Sequence, residues 1–354
     1  MRSTIPVKPG DLTPAWLSDA LRTDVRSVEI EEIGEGKGIL AVVLRLHLDA
    51  DDVPPTLVAK LPSPHAENYN LAVAYGFYRR EVEFYRHIAG HLDVATPSCH
   101  YADVDDDGTN FVLLIDEVTG FRQPDQIEGV GIDDARVVVD TLAALHAHWW
   151  KNPALDQLHW LPKLDNPLYR AIEGALQQVF PLFEQMWGEQ VAPEGLATAR
   201  RQIHVLNAMI DDWVVSKPET LTHYDVRADN LLFGGSAGDG VLTLLDWQLC
   251  LRMMGAIDIS YFLGTNLTIE NRRAHETELL RRYHDRITAF GVRDYSYQRL
   301  EDDYAAAYLN VTNMTLYAAV LDPGNDRGRA LMHALITRSF QAAADVGTHQ
   351  FLPA

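Results

Sequence analysis

Cysteine is scarce in this chain of 354 residues, and several other features are missing with it. The two cysteines, Cys99 and Cys250, lie far apart and outside any CxxC spacing, so we expect neither a disulfide framework nor a zinc site, and a reducing compartment is the natural one. No apolar run approaches the roughly 20 residues that span a bilayer. The N-terminal residues also lack the apolar stretch of a secretory signal. We therefore expect a cytoplasmic protein with no membrane partner.

Basic residues are the second shortage. The chain has 30 Lys and Arg against 50 Asp and Glu, which gives a net charge of −20. Because no basic run or patch appears, the composition argues against nucleic acid as a partner. An acidic field also repels a bare nucleotide, so any nucleotide should bind together with Mg²⁺, and the same field favours a neutral or cationic partner.

Internal repeats and low-complexity segments are missing as well, and a chain of this length is expected to fold as two lobes. Residues 25–50 alternate apolar and polar side chains around a glycine cluster, which predicts two antiparallel strands joined by a turn. Residues 54–62 predict a third strand, residues 67–92 a long helix, and residues 100–118 a second hairpin with DDDG as its turn. The first part of the chain thus predicts a small sheet with one long helix.

Helical periodicity dominates after Gly120, and only LLFG and VLTLLDW interrupt it as short β segments. We predict an α+β, bilobal fold. A small N-terminal lobe with an antiparallel sheet and one long helix covers residues 1–118. A larger, mostly helical C-terminal lobe covers residues 119–354.

The most informative stretch of the chain reads THYDVRADNLLF and, after a glycine-rich segment, LTLLDWQ. It presents Asp225, Asn230 and Asp246 around one hairpin-like segment. Asp246 follows an apolar strand, where a carboxylate needs a cation to offset its lost hydration. A Mg-nucleotide phosphotransferase needs a carboxylate that orients an acceptor hydroxyl, and an amide and a second carboxylate that hold Mg²⁺. We therefore predict Asp225 as the catalytic base or orienting residue, and Asn230 and Asp246 as magnesium ligands.

Neighbouring polar residues are predicted to hold this loop in place. His223, which we count with the catalytic set, should hydrogen-bond backbone and lock the loop, and Asp258 should accept hydrogen bonds from loop backbone. Arg227 is open between a role toward phosphates or acceptor and a plain surface position. His146 belongs to LHAHWW, which has the composition of a metal or aromatic site. We interpret that segment as a core helix whose histidine braces the catalytic loop.

Lys60 and a glutamate form a second group of candidates. Lys60 is flanked by apolar residues on the third strand, from which a lysine can grip nucleotide phosphates. The alternative is a lysine near a strand end whose ammonium group reaches water. A buried lysine needs a counter-charge, and we predict Glu81 rather than Glu83 because Glu81 follows Phe77 by four residues.

Three glycines, Gly34, Gly36 and Gly38, lie in IGEGKG between two predicted strands. Glycine lets backbone amides approach phosphates closely, and a plain hairpin turn is the alternative. The loop is not a Rossmann fingerprint, because a strand rather than a helix follows it, and it lacks the GKS or GKT of a Walker A loop. Because Lys60 follows it, we predict that this loop binds nucleotide.

These motifs, in this order, resemble the protein-kinase-like phosphotransferases of small molecules, the aminoglycoside phosphotransferase and choline kinase group. HYDVRADN is similar to that group's H-G-D-x-x-x-x-N loop, and LLDWQ is similar to its metal-binding I-D-[FW]-[EQ] motif. The segments EVEFYRHI and LHAHWW resemble the ecdysteroid-kinase-like branch more than the antibiotic-resistance enzymes. The resemblance covers roughly residues 25–346. Tyr224 stands where the group usually has glycine, and the glycine loop lacks a regular GxGxxG.

The resemblance implies a role for each candidate. Asp225 is the catalytic aspartate, Asn230 and Asp246 hold magnesium, and Lys60 with Glu81 positions the α- and β-phosphates. The segment from Ile115 to Val118, including Glu117 and Val118, is the hinge whose backbone binds adenine.

The sequence therefore predicts an ATP- and Mg²⁺-dependent phosphotransferase that acts on a hydroxyl of a small, neutral or cationic molecule. One alternative is a non-catalytic nucleotide-binding regulatory protein on the same fold. Another is a metal-dependent hydrolase built on His223 and Asp225, although the chain lacks the closely spaced His and carboxylate ligands that such a site needs. A homodimer stays open on the sequence alone.

Overall fold

The chain divides into two compact units. The computed structural model describes residues 4–33, 40–238, 240–320 and 325–353. The first unit contains residues 1–122 and 232–249, and the second contains residues 123–231 and 250–354. The division predicted at residue 118 did not anticipate that a segment from the middle of the chain belongs to the first unit.

The first unit is built on antiparallel strands. Its helices and strands are α1 (Pro14–Leu21), β1 (Val25–Ile33), β2 (Ala41–Ala50), β3 (Thr56–Pro62), α2 (Ala66–Ala74), α3 (Phe77–His87), β4 (Cys99–Val104), β5 (Phe111–Asp116), β6 (Phe121–Arg122), β8 (Leu231–Gly234, all but its first residue) and β9 (Leu242–Leu244). Five strands form one sheet in the order β1-β2-β3-β5-β4, and β6, β8 and β9 form a second sheet. The two hairpins and the third strand predicted from apolar alternation are therefore present.

Alternation along β3 decides which of its residues enter the core. Leu57, Ala59 and Leu61 point to one face of the sheet and belong to a core cluster of the first unit. Because side chains alternate along a strand, Lys60 lies on the opposite face. It is paired in register with Val43 of β2 and Leu113 of β5, in the middle of the sheet.

The long helix predicted over residues 67–92 is broken into α2 and α3. Gly76, between them, has φ of +67°, a left-handed conformation that a helix interior does not contain. The apolar period continues across this glycine, so periodicity alone does not reveal the break. The break starts a separate helix at Phe77 and fixes the direction of the face that carries Glu81.

The second unit is mostly helical. Its helices and strands are α4 (Ile132–Trp149), α5 (Pro167–Trp187), α6 (Pro193–Gln202), α7 (Leu206–Ser216), β7 (Thr220–Thr222), β10 (Leu251–Met253), α8 (Ala256–Asn266), α9 (Ile269–Ala289), α10 (Tyr297–Ala318) and α11 (Asp326–Asp345). Strands β7 and β10 pair antiparallel. No helix of the described chain is both long and apolar enough to cross a bilayer.

Helix α8 occupies the centre of the second unit, and all of its residues are buried. Close approach to α10 requires glycine at position 264, since a Cβ there would lie 2.4 Å from the Tyr308 ring. Ser260 of α8 donates to the carbonyl oxygen of Tyr304 on α10. The polar residues of α8 are therefore held in fixed positions inside the unit.

Candidate active site

Lys60 lies between two carboxylates in the first unit. Its Nζ atom is 2.6 Å from Oε1 of Glu81 on α3 and 3.2 Å from Oδ1 of Asp246. The three side chains are nearly buried, with 13% of Lys60, 2% of Glu81 and 18% of Asp246 exposed. Glu83 instead pairs with residues of its own helix, Arg86 and His87. Of the two glutamates weighed from the sequence, Glu81 is the one in contact with Lys60.

Burial and neighbouring charges act on the pKa values of this cluster in opposite directions. Burial alone would lower the pKa of Lys60, but the carboxylates of Asp246 and Glu81 raise it above its ordinary value. Burial raises the pKa of Glu81; the Lys60 ammonium opposes this rise and the Asp246 charge adds to it. One lysine thus faces two carboxylates.

Residues after Asp246 fix its position. The Trp247 ring is buried and stacks on Phe84 of α3, with ring centroids 4.0 Å apart, and Gln248 Nε2 lies 3.3 Å from Oδ2 of Asp246. Asp246 itself has φ of +65°, a strained conformation for a residue other than glycine. Strain of this kind persists where the surroundings hold it, and it clusters at functional sites.

The predicted hinge residues follow β5. The Glu117 carboxylate accepts from Nε of Arg45 at 2.7 Å, and Val118 is partly buried. Neither observation concerns the backbone groups that were predicted to bind adenine, so adenine binding by this segment stays a prediction. The predicted glycine-loop contacts of Gly34, Gly36 and Gly38 lie outside the described residues.

The catalytic-loop candidates lie in the second unit, where Asp258 of α8 holds the loop backbone. The two oxygens of Asp258 accept from the backbone N–H groups of His223, at 2.7 Å, and Tyr224, at 2.8 Å. Asp258 is fully buried, as is His146 of α4, whose Nε2 atom lies 3.1 Å from Oδ2 of Asp258. His146 Nδ1 bonds the Tyr283 hydroxyl at 2.8 Å. The structure therefore confirms Asp258 as a structural acid and His146 as a brace of the loop.

Asp225 is surrounded by hydrogen-bond donors. Its Oδ1 atom accepts from the Tyr261 hydroxyl at 3.3 Å, and its Oδ2 atom accepts from Asn230 Nδ2 at 3.1 Å. Nε of Arg227 lies 3.3 Å from the same Oδ2 atom. His223 Nδ1 accepts from the backbone N–H of Asp225 at 3.2 Å, so His223 contacts backbone as predicted. Asp225 is 7% exposed and is held in one orientation.

Asn230 is tied to the same loop. Its Nδ2 atom donates to the backbone oxygen of Asp225 at 2.9 Å as well as to the Asp225 carboxylate. Both of these bonds use the amide nitrogen, which turns the Oδ1 atom away from Asp225. A cation at Asn230 would therefore meet an oxygen, the ligand atom that Mg²⁺ prefers.

Tyr224 keeps an unusual backbone conformation at the position where glycine was expected from the resemblance. Its φ is +67°, in the left-handed region that glycine adopts easily and a bulky residue rarely does. The Tyr224 hydroxyl donates to Oδ1 of Asn310 on α10 at 2.7 Å. Tyr224 therefore keeps a backbone conformation typical of glycine, and its side chain reaches α10.

Tyr261 and Asn266, both on α8, were missed in the sequence analysis. Asn266 Oδ1 accepts from the backbone N–H of Ala228, and its Nδ2 donates to the carbonyl of Val226, so it holds the loop on both sides of Arg227. Polar residues inside an otherwise apolar helix, AIDISYFLGTN, were the available signal, because a buried polar side chain needs a partner.

Comparisons with known proteins bear on the family of this chain. A family model described as the ecdysteroid kinase-like family matches residues 35–292. An uncharacterised kinase-like protein of Caenorhabditis elegans is 22% identical over 291 residues, which cover 75% of this chain and 74% of that protein.

Solved structures of small-molecule kinases match almost the whole chain. The choline kinase of Cryptosporidium parvum is 11% identical with a TM-score of 0.54, over 97% of this chain and 95% of that one. The ethanolamine kinase of Plasmodium vivax is 12% identical with a TM-score of 0.49, over 91% of this chain and 83% of that one. The predicted α+β, protein-kinase-like fold is confirmed.

Proposed function

Because the chain belongs to the ecdysteroid kinase-like family, we propose that it transfers the γ-phosphate of ATP to a hydroxyl group of a small molecule. The observation that carries this proposal is the buried cluster of Lys60, Glu81 and Asp246, in which one lysine faces two carboxylates. The Lys60 ammonium supplies a positive charge for nucleotide phosphates, and the Asp246 carboxylate supplies an oxygen of the kind that Mg²⁺ prefers. The proposal includes ATP and Mg²⁺ as cofactors.

Each residue of the proposed site has one task. Lys60, held by Glu81, binds nucleotide phosphates as a point charge. Asp246 and the Oδ1 atom of Asn230 are the magnesium ligands. When bound, the magnesium ion neutralises charge on the phosphates.

Asp225 acts on the acceptor. In the transfer, the acceptor oxygen forms a bond to the γ-phosphorus, and the bond from that phosphorus to the β,γ-bridging oxygen breaks. ADP leaves with the electron pair, and the hydroxyl proton is released through Asp225. Tyr261 and Asn230 donate to Oδ1 and Oδ2 and hold the Asp225 carboxylate in one orientation, so orienting the hydroxyl is the main contribution of Asp225. The family takes its name from kinases of ecdysteroids, which supports a small hydroxylated acceptor.

Two substitutions separate binding from turnover. Asp246→Asn should abolish Mg-ATP binding in titration calorimetry, because the carboxylate proposed as a magnesium ligand is lost. Asp225→Asn should keep nucleotide affinity and lower kcat about 10²–10⁴-fold, the range expected when a group that handles the acceptor proton is removed. Turnover is measured as ATP consumption over alcohols, amino-alcohols, sugars, sterols and aminoglycosides.

The matched control is Asp285→Asn, which removes a carboxylate whose side chain is 84% exposed on α9, and it should change neither quantity. Failure of the wild-type protein to bind any magnesium nucleotide would contradict the proposal. Tight binding with no turnover across the whole panel would favour the non-catalytic alternative.

A further inference from the structure

A cavity of about 80 Å³ lies in the second unit beside β7 and β10, and it holds several water molecules or one small organic ion. Lys217 and Glu219, which line it, directly precede β7, and Arg252 and Met253 belong to β10. None of the described residues that line it belongs to the loop from His223 to Asn230. We call it the β7–β10 cavity, and it is separate from the residues proposed to act on nucleotide and acceptor.

Three cations and one carboxylate line the β7–β10 cavity: Lys163, Lys217, Arg252 and Glu219. Both oxygens of Glu219 already face a cation. Its Oε2 atom accepts from Nη2 of Arg252 at 2.6 Å, and its Oε1 atom lies 3.7 Å from Nζ of Lys163. The single carboxylate of the lining is therefore shared between two of the three cations.

Arg252 has a donor to spare. The residue is 8% exposed, and its Nη atoms donate to three acceptors, the Leu155 carbonyl, Asp156 and Glu219. Its Nε atom is buried and has no hydrogen-bond partner in the described part of the chain. A buried donor without an acceptor is costly, and a charged donor more so than a neutral one. The Nε–H group therefore calls for an oxygen acceptor.

The two lysines have N–H groups left over as well. Lys217 Nζ donates to the fully buried Asp303 at 2.7 Å, which uses one of its three N–H groups. Asp303 also accepts from Arg299 at 3.0 Å, so it too is shared between two cations. Lys163 has only the long contact with Glu219. What the lining offers to a ligand is consequently a set of charged donors.

The rest of the wall is apolar. Leu164, Trp213 and Met254 line the cavity and are buried. Hydrogen bonds to charged groups are stronger beside apolar walls than in water, and these side chains also give a short hydrocarbon group a surface to contact. Lys163 and Val214 are each 42% exposed, so the cavity opens to solvent at these two residues.

An organic anion is the ligand class that such a lining selects. Carboxylate and phosphate oxygens accept several charge-assisted hydrogen bonds at once, which water or a neutral molecule does less strongly. A cation would meet three cationic side chains at close range. The net charge of −20 repels anions from the surface in general, so an anion that binds this protein needs a local cluster of donors.

We propose that the β7–β10 cavity binds a small organic anion. Its carboxylate or phosphate oxygens accept from Arg252 Nε, Lys163 and Lys217, and its short apolar part contacts Trp213 and Leu164. The proposal goes beyond phosphotransfer and does not depend on it. Because β7 leads directly into the catalytic loop, the bound anion contacts residues that support this loop.

Paired probes of equal size test the charge requirement on the full chain by titration calorimetry at fixed ionic strength. Propionate is compared with propionamide, and methyl phosphate with methanol. We expect propionate or methyl phosphate to bind with a Kd on the order of 1 mM, because so few atoms limit the affinity, and the neutral probes not to bind. The tighter of the two anions identifies the preferred acid group. The titrations are repeated with saturating Mg-ADP, which should leave the Kd unchanged.

Two substitutions at partly exposed positions locate the bound anion without disturbing the buried ion pairs. Val214→Trp fills the cavity and should abolish binding of the anion. Its control, Val215→Trp, changes the next residue, which is 86% exposed and does not line the cavity. Lys163→Gln should weaken binding roughly three- to tenfold, while Lys163→Arg should retain it. Lys151→Gln, at an exposed lysine outside the cavity, should have no effect.

Several results would overturn the proposal. Failure of both anions to bind would mean that water fills the cavity. Equal binding of propionate and propionamide would refute selection by charge. Binding that survives in Val214→Trp, or that Mg-ADP abolishes, would place the anion elsewhere. A crystal grown with the tighter anion should show its acid group within hydrogen-bond distance of Arg252 Nε.

Discussion

Charged side chains of the first unit, Lys60 and its two carboxylate partners, form the core of the candidate nucleotide site. Lys60 lies on the face of β3 opposite the core residues, and Glu81 meets it from α3. A lysine in this setting is stabilised by its two carboxylates against its own burial, as the raised pKa of Lys60 indicates. Its removal and the removal of one carboxylate should therefore have unequal consequences.

Lys60→Met should lower the free energy of unfolding by about 3–5 kcal/mol, because it leaves two nearly buried carboxylates without their cation. Glu81→Gln should cost less than Lys60→Met, because Lys60 keeps Asp246 as a partner. Urea denaturation at pH 7 measures both. Equal losses in the two variants would contradict the view that Lys60 stabilises both carboxylates.

Two residues of the candidate site have a positive φ. Tyr224 and Asp246 both adopt left-handed backbone conformations, and both belong to the motifs that the sequence singled out. The motifs could be recognised from residue type and spacing. The conformations could not, because a positive φ is rare for tyrosine and, although aspartate adopts it more often than most residues, uncommon even there.

Between helices, an ion-pair network joins α9 to the end of α11. Asp345 accepts from Nε of Arg273 at 2.7 Å, from Gln341 Nε2 at 2.9 Å, and from Arg272, whose side chain is 2% exposed. Burial opposes ionisation of Asp345, but these donors outweigh it and lower its pKa to about 2. The network also offsets the unfavourable position of a carboxylate at a helix C-terminus.

The pH dependence of this network has a definite sign. An aspartate with an ordinary pKa of 3.8 in the unfolded chain and about 2 in the folded one binds its proton less tightly when folded. Its stabilisation is therefore complete above pH 4 and is lost as the pH falls toward 2. Asp345→Asn should lower the free energy of unfolding by about 1–2 kcal/mol at pH 7, after allowance for solvent screening.

The same variant should show a smaller further loss between pH 4 and pH 2 than the wild type. Urea denaturation at several pH values measures this difference. Asp285→Asn, an exposed carboxylate of α9, serves as the control and should follow the wild-type curve. If the free energy of unfolding fell as much between pH 4 and pH 2 in Asp345→Asn as in the wild type, the network would contribute nothing to stability.

Elements were predictable from sequence wherever one face of a strand or helix is buried. The β2–β3 pairing and the hairpin at DDDG follow from alternation and turn residues. Helix α8 was harder, because it is buried on every side and its polar residues are distinguished only by their partners. Tyr261 and Asn266 were missed for this reason, whereas Asp258 was predicted to accept hydrogen bonds from loop backbone.

At the scale of the whole molecule, long-range pairing limited the sequence-based description. Residues 232–249 belong to the first unit because β8 pairs with β6, more than 100 residues earlier in the chain, and because Trp247 stacks on Phe84. Neither contact leaves a local pattern in the sequence. The fold class was nevertheless predictable, since it depends on the order of elements and motifs rather than on these contacts.

Net charge is the whole-molecule property with the clearest consequence. Carboxylates outnumber basic residues by 20, so most of the excess acids have no basic partner and repel one another. Added salt screens this repulsion, and it also weakens exposed ion pairs such as that of Arg26 with Asp49. Exposed pairs contribute about 0–1 kcal/mol each, so at this imbalance the screening of repulsion should win.

The melting temperature at pH 7 should therefore rise by a few degrees, roughly 2–4 °C per kcal/mol gained, when NaCl increases from about 0.01 M to about 0.2 M. Scanning calorimetry without nucleotide measures the shift. Near the isoelectric point of about 5.0 the net repulsion is absent, and the same addition of salt should leave the melting temperature level or lower it. A melting temperature that falls with salt at pH 7 would mean that surface ion pairs outweigh the acidic excess, and the argument that this field favours magnesium-bound over bare nucleotide would lose its basis.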